Sequence, residues 1–217
     1  MSLTKSEINF VIFFMLSAFL FLSFPQIDLH ISALFYDKED KFFLSNNFLL
    51  VFLHESVKYI TIACCVLWVG LLILNFVTKK QYISNLILVY LILALSFGPG
   101  LVVNTVFKEN WGRARPAHIE QFGGDKIFSP PFAISDQCEE NCSFLAGDPS
   151  VGFYFIALAF AIPVRRKQFM VLAMSLGIIF GTARVMQGVH FVSDVIFSGF
   201  FTILVCYSLH KLLVSFK

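Results

Sequence analysis

Six long apolar runs constrain this chain more than anything else in it. A helix takes ~20 mostly apolar residues to cross the hydrocarbon core of a bilayer. Runs of that kind lie near residues 8–24, 57–77, 83–107, 149–164, 168–186 and 191–210. In hydrocarbon every backbone N–H and C=O must be satisfied within the protein, so such runs fold as helices. The expectation is an all-α, polytopic membrane protein: a six-transmembrane-helix bundle built as a single domain over residues 1–217, with both termini on one side. With 58% of residues hydrophobic, 14% charged and 28 Phe, the composition excludes an ordinary soluble domain of this length. Lys5 precedes the first run and no small-residue cleavage site follows it, so the run reads as a retained span and not a signal peptide. The fourth and fifth runs are shorter or more polar than the rest. In the third, Gly98-Pro99-Gly100 is expected to kink or interrupt the helix.

Charge sets the orientation. Lys79-Lys80, Arg165-Arg166-Lys167, Lys211 and Lys217 fall on the side of the N-terminus, where Glu7 is the one acid; the other 13 of the 14 acidic residues fall opposite. Lys and Arg in short loops favour the cytoplasm, which puts the two long loops, at about 25–56 and 108–148, outside it. In the first loop, Ile27, Ile31, Leu34 and Phe35 recur at near-helical spacing and predict a short interfacial helix. The second loop, with Pro116, Pro130 and Pro131, is too long for a plain connection and is a candidate functional loop. It carries Cys138 and Cys142 as C-x3-C, a spacing for which an oxidising compartment allows a disulfide. The alternatives are two free thiols one turn apart and a metal site, the latter lacking any His or second Cys pair at zinc-like spacing. Cys64, Cys65 and Cys206 lie inside apolar runs and read as packing residues.

Several ionisable residues cluster at the outer span ends. Lys108, Arg113 and Arg115 follow the third span in FKENWGRARP, Asp148 opens the fourth, Arg184 ends the fifth, and His190 and Asp194 open the sixth. On a helix, His190 and Asp194 share a face, so the carboxylate can bond one imidazole nitrogen and leave the other as base or nucleophile. A polar pair satisfied inside a bundle is the bland reading. Lone basic residues at span ends are usually anchors, but Lys108, Arg115 and Arg184 together suit a phosphate bearing two or more negative charges. Phosphoryl transfer needs an in-line nucleophile, stabilised equatorial oxygens and a proton for the leaving oxygen, and this set offers each part. Asp148 has two readings in CSFLAGDPSVGF: Asp, Pro and Ser suit the start of a helix, and a carboxyl group beside the cations suits a catalytic site.

Lys108-x6-Arg115-Pro116 and Arg184-x5-His190-x3-Asp194 resemble the first and third motifs of the type 2 phosphatidic acid phosphatase (lipid phosphate phosphatase) superfamily. Its second motif, Pro-Ser-Gly-His, is replaced by Leu145-Ala146-Gly147-Asp148. With that change, GPGLVVNTVFKENWGRARP, EQFGGDKIFSPPF, CSFLAGDPSVGF and QGVHFVSDV are similar to the bacterial lipid A 4′-phosphatases, above all over about residues 97–200. The resemblance implies a six-helix enzyme of the inner membrane acting at the periplasmic face, without cofactor or metal. It implies lipid A or a related phospholipid as substrate among membrane lipids, with no nucleic acid partner. It would make His190 the nucleophile and Asp194 its orienting partner. Lys108, Arg115, Arg184 and the Gly147 amide would hold the phosphate. Asp148 stands where the superfamily has its proton-donating His. Burial and a substrate dianion would raise the Asp148 pKa and the cations would lower it, which leaves its role as acid open. Other substrates within the superfamily are lipid A 1-phosphate, undecaprenyl diphosphate and phosphatidylglycerophosphate. A transporter or channel is the alternative of another class, and it is disfavoured because the charges gather on one face.

Overall fold

The computed structural model describes residues 4–39 and 41–214; Lys217, counted above for orientation, lies outside them. Helix α1 (Lys5–Ser23) is followed by the short helix α2 (Gln26–Ala33) expected in the first loop, then by a small hairpin, β1 (Tyr36–Asp37) and β2 (Lys41–Phe42). Helix α3 (Phe48–Thr78) and helix α4 (Asn85–Leu95), which continues as a π-helix over Ser96–Phe107, complete the first half. After a long loop come α5 (Gly147–Tyr154), α6 (Ile156–Ala161), α7 (Arg166–Met186) and α8 (Val192–Leu213).

Among the described residues, five helical segments are long and apolar enough to cross a membrane: α1, α3, α4 with its π continuation, α7 with its lead-in turn, and α8. The sixth crossing, over 149–164 in the sequence reading, is the shorter apolar pair α5–α6, Gly147–Ala161. The two pieces meet at Phe155, whose N–H bonds back to the Gly152 carbonyl at 3.3 Å, a tightened turn.

Two boundaries differ from expectation for local reasons. Helix α3 begins at Phe48 and not near 57, because the Asn47 side chain accepts from the Leu49 and Leu50 N–H groups and caps it there. The polar pair His54-Glu55, which ended the apolar run in the sequence, therefore lies within the helix. At Gly98-Pro99-Gly100 the helix does not break. Its hydrogen-bond ladder widens to the π pattern, and Asn104 Nδ2 donates to the Pro99 carbonyl at 2.7 Å.

Small residues let the helices close on one another, as packing within a membrane requires. A side chain at Gly152 would run into the backbone of α7 at Gly177, and one at Gly181 into Val195 of α8. Buried polar tips are satisfied across elements: Trp68 Nε1 donates to Tyr154 Oη (3.0 Å), which donates to the Leu91 carbonyl (3.1 Å), and Tyr90 Oη donates to the Cys206 carbonyl (3.0 Å). Phe132 and Phe144 of the long loop pack with Phe107 and Phe197 in an aromatic core. Glu7 of α1 accepts from Tyr207 and Lys211 of α8, at 2.8 and 2.9 Å, which brings the N-terminal end of α1 to the C-terminal end of α8. At the opposite end the hairpin packs Phe42 onto Gly188, and the Ala117 N–H bonds to the Gly188 carbonyl at 2.9 Å. The two long loops thus lock down the turn between α7 and α8.

Candidate active site

His190 sits in that turn. Gly188 makes it possible by taking φ +70°, where a side chain would also strike the Phe42 ring. The N–H groups of Val189 and His190 both bond to the Arg184 carbonyl, at 3.1 and 3.4 Å, so the position of Arg184 is tied to that of His190. The imidazole is 2% exposed. Its Nδ1 lies 2.7 Å from the Ser143 carbonyl oxygen. A carbonyl can only accept, so Nδ1 carries the hydrogen and Nε2 is left with a free lone pair. Burial pushes the His190 pKa down to about 4, against the pull of Asp194 and with help from Lys108 and Arg184. At neutral pH this imidazole is uncharged.

Asp194 is placed differently from the sequence reading. His190 precedes the start of α8 at Val192, so the two residues do not lie on one helical face. The carboxylate stands 3.7 Å from Nδ1, within ion-pair range, and the short contact belongs to Ser143. The Asp194 oxygens accept instead from Ser143 Oγ, from the Phe191 N–H at 2.8 Å and from Arg113.

Arg113 is the centre of a network that the sequence did not reveal. It is fully buried, and it donates through Nε to the Ser129 carbonyl (2.8 Å), through one terminal nitrogen to Asp194 and Ser193 Oγ (2.9 Å), and through the other to Asp28 of α2 (2.8 Å). Asp28 also accepts from the Ser193 N–H (3.0 Å) and Oγ. The guanidinium lies 4.3 Å from the centre of the Phe191 ring. Two buried carboxylates and one buried cation, each with further hydrogen bonds, form the satisfied arrangement that low dielectric demands.

Lys108, Arg115 and Arg184 lie within electrostatic reach of one another. Burial lowers the Lys108 pKa and the nearby Arg115 lowers it further; burial and Arg184 do the same to Arg115. Like charges this close raise one another's free energy, and an anion among them relieves it. Arg115 is held by the Asn141 carbonyl, to which its Nε and a terminal nitrogen donate at 3.1 and 2.7 Å. Asn141 lies inside the loop closed by a Cys138–Cys142 disulfide, the pairing favoured from the sequence.

Asp148 lies in the first turn of α5, where its charge suits the helix dipole, but it makes no capping bond; Ala146 holds the cap position. Its Oδ2 is 2.7 Å from Nδ1 of His54 and 3.2 Å from Arg184 Nε, and it lies within electrostatic reach of Lys108 and His190. Gly147 has no room for a side chain, which would meet Asn104 Oδ1. From Gly147 and Asp148 a groove of about 630 Å³ runs between α3 and the π-helix past Val57, Thr61 and Pro99. Among the described residues no three His, Cys, Asp or Glu side chains group as a metal site. The site residues that the sequence did not single out are Arg113's partner Asp28, the Ser143 carbonyl and His54.

A model of the PAP2 superfamily matches residues 86–215. The chain is 37% identical over 201 residues to a lipid A 4′-phosphatase of Francisella tularensis subsp. novicida, spanning 91% of this chain and 90% of that one. It is 36% identical over 103 residues to a lipid A 4′-phosphatase of Rhizobium leguminosarum, 47% of this chain and 44% of the relative. It is 39% identical over 111 residues to a lipid A 1-phosphatase of Rhizobium etli, 48% and 43% of the two chains. A solved transmembrane PAP2-type phosphatidylglycerolphosphate phosphatase from Bacillus subtilis superposes with a TM-score of 0.55 at 19% identity, over 97% of this chain and 96% of that one, and shows the shared fold. The chain belongs to the PAP2 superfamily and is a multi-pass membrane phosphatase.

Proposed function

We propose that this chain hydrolyses the 4′-phosphate of lipid A at the periplasmic face of the inner membrane, through a phosphohistidine at His190. One observation carries the mechanism: a buried, uncharged imidazole with its Nδ1 committed to the Ser143 carbonyl stands beside three cations. Lys108, Arg115, Arg184 and the Gly147 amide hold the phosphate oxygens. Nε2 of His190 attacks phosphorus, the bond to the sugar oxygen breaks in line, and that oxygen leaves with a proton. Asp194 stabilises the imidazole as it becomes positive. Water then attacks the phosphohistidine, gives up a proton and releases inorganic phosphate. The charge asymmetry of the loops and the Cys138–Cys142 disulfide support the periplasmic assignment, since disulfides persist in oxidising compartments. The 4′ position rests on likeness to the Francisella relative over most of both chains. The local likeness to a 1-phosphatase makes the 1-phosphate the second reading.

The test uses lipid A labelled at the 4′-phosphate and the purified enzyme in detergent. The wild type should carry acid-labile, base-stable label on histidine. His190→Ala should carry none and lose turnover by about 10⁴-fold or more while keeping its melting temperature. Turnover that survives His190→Ala would defeat the mechanism. Fragmentation mass spectrometry of the product decides the position: loss of the 1-phosphate would transfer the assignment to the second reading.

A further inference from the structure

Among the described residues, His54 is the imidazole outside the sequence motifs that bonds to Asp148. It projects from α3, its Nδ1 is 2.7 Å from Asp148 Oδ2, and its side chain is 42% exposed. Asp148 also faces Arg184 at 3.2 Å. A carboxylate placed between an arginine and an imidazole N–H serves as an acceptor, which leaves it poorly suited to donate a proton itself. A histidine so paired is held in one tautomer, Nδ1–H toward the carboxylate, with Nε2 directed elsewhere. Nε2 of His54 has no hydrogen-bond partner among the described residues, and His54 lines the same groove as Gly147 and Asp148. His118 lines a separate cavity beside Arg115 and Lys126, which Asp148 does not line.

We infer that His54 is the group that protonates the leaving oxygen, with Asp148 as its positioning residue. The inference rests on the phosphohistidine reading of His190. In the first step the imidazolium of His54 gives its Nε2 proton to the sugar oxygen as the phosphorus–oxygen bond breaks, and becomes neutral. In the second step the same Nε2 takes a proton from the water that attacks phosphorus, which restores the imidazolium. No proton is gained or lost by the protein over the cycle. The helix that the sequence reading began near residue 57 begins at Phe48, and this extension brings the imidazole to the site.

The experiment compares two substrates in His54→Ala and His54→Gln, the latter keeping an amide that can donate to Asp148. A sugar phosphate has a poor leaving group and needs the proton; p-nitrophenyl phosphate has a good one and does not. With the lipid, both variants should lose about 10²- to 10³-fold in single-turnover cleavage, the usual range for a missing general acid. With p-nitrophenyl phosphate, both should still release a burst of about one nitrophenol per enzyme, at a rate within about tenfold of wild type. Phosphohistidine should then accumulate, because the attacking water lacks its base. A structural role predicts otherwise: the burst would fall in step with lipid cleavage, or Gln would restore the lipid rate. Either result, or unchanged lipid cleavage in both variants, overturns the role of His54. His190→Ala is run beside them. Turnover and label that persist there would overturn the phosphohistidine reading itself, whatever the His54 variants do.

Discussion

The two walls of the site are built on opposite plans. On one, Arg113, Asp28, Ser193, Asp194, Ser143 and His190 are buried and joined by a continuous set of hydrogen bonds. On the other, His54 is half exposed on an open groove and is tied to Asp148 through one nitrogen. The difference fits the roles proposed for the two imidazoles. A nucleophile gains from being fixed and uncharged, since an in-line attack tolerates little misplacement. A proton carrier gains from contact with water and from a partner that can accept its charge.

Breaking the first wall should have the largest effect. Arg113→Ala leaves Asp28 and Asp194 buried without their cation, and removing one partner of a buried ion pair costs about 3–5 kcal/mol. The melting temperature in detergent should fall well below that of any variant on the groove side, and turnover should fall with it. Arg113→Lys should recover only part of this, because one ammonium cannot reach both carboxylates and the Ser129 carbonyl in the same fork geometry. If Arg113→Ala melts like the wild type but is inactive, the wall serves the charge balance of the reaction and not the fold.

This contrast also tracks what the sequence could disclose. Apolar run length exposed the crossings, and the spacing of Lys108 with Arg115 and of Arg184 with His190 exposed the two motifs, because each lies within one short stretch of chain. The Asp28–Arg113 pair joins positions 85 residues apart and has no local signature. The Ser143 carbonyl is a backbone group that any residue supplies, so the acceptor for His190 could not be foreseen. His54 was hidden because it interrupts an apolar run, and a polar pair within a run reads as its end. The i, i+4 pairing of His190 with Asp194 is present at 3.7 Å, but not on one helical face, because His190 stands before the helix begins and its short contact goes to the Ser143 carbonyl.

On the second wall, Asp148→Asn keeps the shape of the side chain and removes its charge. Lipid turnover should fall about 10²-fold, as expected when a reacting group is set loose, with the melting temperature nearly unchanged. With Asp148 acting through His54, as proposed, the His54→Ala/Asp148→Asn double variant should be no slower than His54→Ala. Additive losses would mean that Asp148 works independently of the imidazole, and full activity of Asp148→Asn would remove it from the proton path altogether.

Arg115 belongs to neither wall, and it offers the smallest effect and the finest test of the comparison. Its guanidinium is held by the Asn141 carbonyl, and Asn141 takes φ +52° inside the loop that the Cys138–Cys142 disulfide closes. A loop this short contributes less chain entropy than a long one. Replacing both cysteines by serine should therefore move the melting temperature less than Arg113→Ala does. It should instead loosen Asn141 and let Arg115 sample positions away from the phosphate. Ground-state and transition-state binding then weaken together, so KM should rise by about two- to fivefold with kcat nearly constant. Reductant added to the wild type should reproduce that change and leave the double-serine variant unaffected. A fall in kcat at constant KM would place Arg115 with the groups that act on the transferring phosphoryl group alone, and the site would then have three working walls in place of two.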